Sequence, residues 1–315
     1  MINPSPGLDL YTDRVAPREV AMECCHGCGA FPEEGIVSYQ TILVHLDTSE
    51  RCEERVRLAS SLALRVNAHL VGVAATGLAP AMFGDMGDGF SRAANVRSEL
   101  EMTTVAEEAL DRFTERVKGL GLRSYEARLE SDEAAAALCL HGRYSDLIVV
   151  GQNQPDRSPA AVPASLTADI AELSPRPLLI VPYAGNFDVL GNDIALAWDA
   201  GRESARAVTE ALPLLKLAKL VRIVTFNAKP SRSGHGPIPG ADLALFLARH
   251  GVTAEVYREA SQIDTGSALL SRVADYGSDL IVMGAYGHSR WRESLLGGVT
   301  QTLLEHMTVP VLTAR

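Results

Sequence analysis

The sequence has no run of basic residues and no apolar stretch longer than a strand, and both gaps narrow its function. A nucleic-acid binder needs clustered Lys and Arg to displace counterions from phosphates. Here 39 acidic residues outweigh 29 basic ones, for a formal charge of −10. Nucleic acid is therefore not an expected partner. Apolar stretches are of the size of LIVV (147–150), far short of the roughly 20 residues that span a bilayer, so a membrane is not expected either. The opening residues, MINPSPGLDLYTDR, carry neither the basic start nor the apolar core of a secretory signal. The cytoplasm is the expected location. Cysteine is scarce as well. Five residues, an odd count without a secretion signal, do not read as a disulfide framework.

Several catalytic signatures are missing. There is no G-x-S-x-G nucleophile turn and no H-E-x-x-H zinc helix, and no lysine follows a G-x-x-x-x-G loop. Fast phosphoryl transfer is not expected, and at most slow ATP hydrolysis remains open. Cys24, Cys25 and Cys28 lie in CCHGC, where Cys25 and Cys28 have the C-x2-C spacing of half a zinc site. Four ligands crowded into five residues cannot all reach one tetrahedral ion, and no second pair follows. No metal site is assigned. Cys52 opens a helix without an evident role, and Cys139, in EAAAALCLH, reads as a small packed hydrophobe.

What is present is one α/β pattern, written twice. With 47% apolar and 22% charged residues, the chain has the composition of an ordinary globular protein. Residues 1–37 hold several Pro and Gly without periodicity and read as a mostly disordered leader. From residue 38, short apolar runs alternate with helical spacing: strands at 41–47, 69–75, 125–130, 146–151 and 178–182, with helices at 50–68, about 95–118 and 132–143. The second half gives strands at 193–199, 220–226, 254–259, 279–284 and 309–314, with helices at 201–215, 240–251, 264–277 and 294–307. This alternation predicts parallel strands covered by helices on both faces.

DLIVVG (146–151) and DLIVMG (279–284) nearly repeat, each preceded by a helical stretch with a tyrosine, Tyr144 or Tyr276. Gly151 to Pro177 and Gly284 to Pro310 span the same 26 residues. A shared register over that length points to duplication. The expected domains are 38–184 and 193–315, joined by a linker at 185–192 too short to let them wander.

The second half then reads GAYGHSRWRESLLGGVT (284–300). Glycines after a strand and before a helix let the backbone approach an anion, while first-turn N–H groups and the helix dipole supply positive potential. In open α/β sheets the ligand crevice lies at the carboxyl ends of the strands. Gly284, Gly287 and Gly297 have the spacing G-x2-G-x9-G. With the strand–helix order, the repeat and Asp199 closing a strand, the chain from about 38 to 315 resembles a tandem of two universal stress protein domains.

The resemblance implies two doubly wound, open parallel five-stranded sheets of order 3-2-1-4-5, paired through their fifth strands. It also implies ATP, with magnesium travelling on the nucleotide. Gly284, Gly287, Gly297, Gly298, Val299 and Thr300 would cradle phosphate, and Asp199 would lie beside the nucleoside. Val224 or Thr225 would meet the adenine through backbone groups. His288 and Arg290 flank the turn, either facing phosphate or standing as solvated loop side chains. One departure is Gly298, where ATP-binding relatives carry Ser or Thr.

Carried back by 133 residues, Gly287 falls on Gln154 and Gly297 on Ala164, and Pro155, Pro159 and Pro163 enter the loop. Each proline removes a donor. The first half is therefore expected to hold no nucleotide, with Asp47 only capping a turn. A stress-response protein that binds ATP in its second half, and acts through conformation or an unidentified protein partner, is the favoured reading. The internal domain pair leaves room for a homodimer. A nucleotide-independent interaction protein with a decayed site is the rival, and a slow ATPase a weaker third.

Overall fold

A computed structural model describes residues 38–77, 89–153, 165–230, 235–285 and 298–315, with backbone only over 89–99. All lie in one unit, Val37–Arg315. The first half runs β1 (Thr41–Leu46), α1 (Cys52–Val66), β2 (His69–Ala75), α2 (Gly89–Gly119), β3 (Tyr125–Glu130), α3 (Ala134–Gly142), β4 (Leu147–Gly151), α4 (Leu166–Leu173) and β5 (Leu178–Val181). The second runs β6 (Asp193–Ala197), α5 (Arg202–Leu215), β7 (Leu220–Phe226), α6 (Ala241–Arg249), β8 (Ala254–Glu259), α7 (Thr265–Tyr276), β9 (Leu280–Gly284), α8 (Gly298–His306) and β10 (Val311–Ala314).

Ten strands form one sheet in the order β3-β2-β1-β4-β5-β10-β9-β6-β7-β8. Read inward from either edge, each half has the order 3-2-1-4-5. Strands within a half are parallel, whereas β5 and β10 meet antiparallel, with Leu179 opposite Leu312. The two five-stranded sets are thus fused at their fifth strands, and each covers the other's exposed edge. Leu179 and Leu312 are fully buried. One helix, α4, escapes the sequence reading because it is a short apolar stretch following a proline-rich segment.

The repeated DLIV motif has a structural meaning. In the first half the Asp146 carboxylate accepts from Gln40 N and Thr41 N at 2.7 and 2.9 Å, pinning the start of β1. Its counterpart Asp279 accepts from Gly191 N and Asn192 N at 2.8 and 3.0 Å, just ahead of β6. The two tyrosines, by contrast, are not equivalent: Tyr144 is exposed, while the Tyr276 hydroxyl donates to Glu259.

Helices α1 and α5 lay matching stripes on the sheet. Ala59 and Leu62 are buried in one, Ala211 and Leu214 in the other, at the i and i+3 spacing of a core-facing helix. One position breaks the match. Where α5 has Ala207, α1 has the buried Arg55.

The segment between β5 and β6 is strapped to α1. Arg51 donates to the carbonyls of Pro182 and Gly185, Glu54 accepts from Phe187 N, and Arg65 donates to the carbonyls of Leu190 and Leu217. The buried Tyr39 hydroxyl donates across to Glu210 O of α5 at 2.8 Å. Cys139 packs half-buried against the core, as expected of a small hydrophobe.

Candidate functional site

At the carboxyl edge of the second half, the chain leaves β6 through Trp198 and Asp199, turns at Ala200 (φ 59°) and enters α5 at Gly201. Asp199 Oδ1 accepts from Gly201 N at 2.8 Å and from Ser204 Oγ at 2.6 Å. Asp199 is therefore both exposed and fixed in direction by the first turn of α5. The Val224 carbonyl at the end of β7 accepts from Trp198 N at 2.9 Å, so β7 ends beside the Asp199 turn. Thr225 is buried, with its hydroxyl turned to Tyr257 O.

Gly284 ends β9 against the same helix turn. A Cβ placed there would lie 2.5 Å from Ser204 N and 2.6 Å from Glu203 C. Both neighbours are backbone, so no rotamer change relieves the clash. Asp199, Val224, Thr225 and Gly284 are thus brought together around the start of α5. Gly284 has a packing reason to be glycine besides any contact with a ligand.

Helix α8 opens with Gly298, Val299 and Thr300. A Cβ on Gly298 would meet none of the described residues within 4 Å, whereas Thr300 is buried. The first turn of α8 has no acidic residue of its own. Thr302 Oγ1 donates to Asp264 Oδ2 at 3.2 Å, and Asp264 also accepts from Ser267 N as the cap of α7. Beside these, Asn227 (φ 50°) and Ser261 exchange two hydrogen bonds that join the loops after β7 and β8. Gly287, His288, Arg290 and Gly297 lie outside the described residues, as do Cys24, Cys25, Cys28 and the prolines at 155, 159 and 163.

The equivalent place in the first half is built differently. Asp47 does cap its turn, since Oδ1 accepts from Ser49 N and Ser49 Oγ at 2.9 and 2.5 Å. It does more than the sequence suggests, however. Its Oδ2 lies 2.9 Å from Arg55 Nη2, in a pair of which both side chains are under 10% exposed. Arg55 Nε donates to His45 O at 2.8 Å. A Cβ on Gly151 would lie 2.5 Å from Arg55 Nη1. The arginine therefore fills the space between the ends of β1 and β4, where the second half has only the methyl of Ala207.

Burial works against the Asp47 charge, but Arg55 and the Ser49 hydrogen bonds overcome it and hold the carboxyl far below the ordinary range. Burial pushes His45 down to about 4, against the pull of Asp47, so its imidazole is neutral at pH 7. Cys52 takes the place of Ser204. Its sulfur accepts from Asp47 N at 3.5 Å, and burial raises its thiol pKa. Beside these residues a cavity of about 600 Å³ opens between α1 and α2, lined by Ser49, Cys52, Val56, Phe113 and the ion-paired Glu53 and Arg116.

The sequence reading missed Arg55 and Cys52. A signal existed for Arg55: a charged residue on the stripe of Ala59 and Leu62 must find a buried partner, and Asp47, at the end of the buried strand β1, is such an acid.

Residues 192–315 match the model of the universal stress protein family. The second half is a universal stress protein domain. No curated protein matches the chain significantly. Among solved structures, a universal stress protein from Archaeoglobus fulgidus is 16% identical, covers 87% of this chain and 96% of its own, and superposes with a TM-score of 0.66. A putative universal stress protein from Pseudomonas aeruginosa is 15% identical over 88% of this chain and 93% of its own, with a TM-score of 0.55. At these identities the likeness establishes the fold, and it extends over both halves. Among the described residues no group of His, Cys, Asp and Glu has metal-binding geometry, and no helix is long and apolar enough to cross a membrane.

Proposed function

We propose that the chain is a stress-response protein that binds ATP, carried as Mg-ATP, in its second half and acts through conformation or a protein partner. The observation that carries this reading is the start of α8. Among the described residues none lies within 4 Å of a Cβ placed on Gly298, and the helix's first turn has no acid. A helix N-terminus of that kind favours an anion. Around the start of α5, at the same carboxyl edge of the sheet, are the fixed carboxylate of Asp199 and the end of β7, suited to a ribose hydroxyl and a base. The glycine spacing of Gly284, Gly287 and Gly297, within the segment that matches the family, supports the same assignment.

The residues fit a nucleotide without serving as strong phosphoryl-transfer machinery. Amides of Gly298, Val299 and Thr300 would hold phosphate, with Gly287, His288, Arg290 and Gly297 on the preceding loop. No lysine stands in the loop to draw charge from a leaving phosphate, so binding rather than turnover is the expected activity. The domains follow as 38–184 and 193–315. The first serves as a packing partner, because its own acid is engaged by Arg55.

Thermal unfolding with and without Mg-ATP tests this. The parent protein is expected to gain several degrees at saturating nucleotide, and Gly287→Val is expected to abolish the gain. No shift in the parent would favour a nucleotide-independent interaction protein, and a shift that survives Gly287→Val would place the ligand elsewhere.

A further inference from the structure

The halves are joined by more than the β5–β10 seam, and one of the joints grips α8 itself. Gln152 follows β4 of the first half and is 7% exposed. Its backbone N donates to Val181 O, fixing the chain beside β5. Its side-chain nitrogen donates to Leu304 O at 2.9 Å and to Glu305 O at 3.2 Å, and its side-chain oxygen accepts from Tyr183 N at 3.1 Å. Leu304 and Glu305 are in the last turn of α8, where helix carbonyls lack partners within the helix. Both amide protons of Gln152 are therefore spent on the end of a helix belonging to the other half.

The reverse joint is chemically different. The residue equivalent to Gln152 in the second half is Ala285, whose backbone N donates to Ala314 O but which has no side-chain donor to offer. The end of α4 is instead held by Arg315, whose Nη1 donates to Glu172 O at 3.1 Å from a half-exposed position. The grip on α8 is buried, neutral and fully hydrogen-bonded. Such a satisfied polar contact fixes one geometry rather than adding much stability.

We propose that Gln152 is a positioning residue for the ligand site of the second half. Besides its packing on α7 and the core, α8 is tied among the described residues midway by Thr302 on Asp264 within its own half, and at its end by Gln152 from the first half. Gly298 starts that same helix. A nine-residue helix moves as one body, so release of its last turn lets its first turn shift along the axis. The half without a nucleotide cradle thereby sets the reach of the amides in the other half. This inference rests on the nucleotide reading above and adds the element through which the first half, or anything bound to it, adjusts affinity.

The test uses the full chain with Gln152→Leu, which keeps the bulk and removes both donors, and Gln152→Lys, which returns a donor. Hydrogen exchange of the α8 amides is measured without nucleotide, and Mg-ATP and adenosine are then titrated by calorimetry. Gln152→Leu is expected to speed exchange in α8 while β1 to β4 keep their protection. It is also expected to weaken Mg-ATP about three- to tenfold, the worth of one or two neutral hydrogen bonds, and adenosine less, with Gln152→Lys restoring both readouts. Unchanged α8 exchange overturns the proposal, as does equal weakening of both ligands with loss of protection throughout the sheet. If the parent binds no Mg-ATP, the nucleotide reading fails by itself. The exchange of α8 then decides whether Gln152 positions the helix.

Discussion

Gly284 ends β9 and Gly298 starts α8, on either side of the proposed phosphate loop, and a methyl group meets very different surroundings at each. At Gly298 it meets none of the described residues. Gly298→Ser, which supplies the hydroxyl found in ATP-binding relatives, is expected to leave the melting temperature within a degree or two. It should tighten Mg-ATP about fivefold by calorimetry, the worth of one hydrogen bond. At Gly284 the added carbon strikes backbone at 2.5 Å. Gly284→Ala is expected to cost about 1–3 kcal/mol in denaturant unfolding, as overpacking does. The first half makes a separate prediction through His45. Its folded pKa of about 4 lies below the ordinary value of 6.5, so the unfolded chain takes up the proton first as pH falls. Stability should drop by roughly 3 kcal/mol between pH 6.5 and 4 on this account, and His45→Ala should flatten that slope. Asp47, with a depressed pKa, adds a further loss only below its ordinary range near pH 4.

Elements were mostly legible because their signals are local. The buried runs of β4 and β9 and the aspartates that open them read directly as strands, and Asp264 with Ser267 marks the start of α7. Pairings between residues distant in sequence were hidden. Nothing near Gln152 points to Leu304, 152 positions away, and the strap of Arg51, Glu54 and Arg65 on 182–190 depends on where α1 lies. Spacing located the candidate site's glycines, but could not show that Gly284 packs on α5 or that Arg55 fills the first half's crevice. The strap also predicts a measurable effect. Arg65 donates to two carbonyls, one on the segment before β6 and one past the end of α5. Arg65→Ala is expected to cost about 1–3 kcal/mol by urea unfolding, and to speed proteolysis between residues 183 and 192. Resistance equal to the parent would show that the segment is held by other contacts.

Across the whole molecule, one sheet carries two edges of opposite fate. Both halves present the same strand order and the same acid at the end of their first strand. In one the acid is buried against Arg55, while in the other it is exposed at the start of α5. Fusion through β5 and β10 makes this asymmetry permanent within a single chain, with Gln152 and Arg315 reaching across the seam. The consequence is a count. Calorimetric titration of the full-length protein with Mg-ATP is predicted to give one site per chain. Two equal sites, or none, would contradict the account.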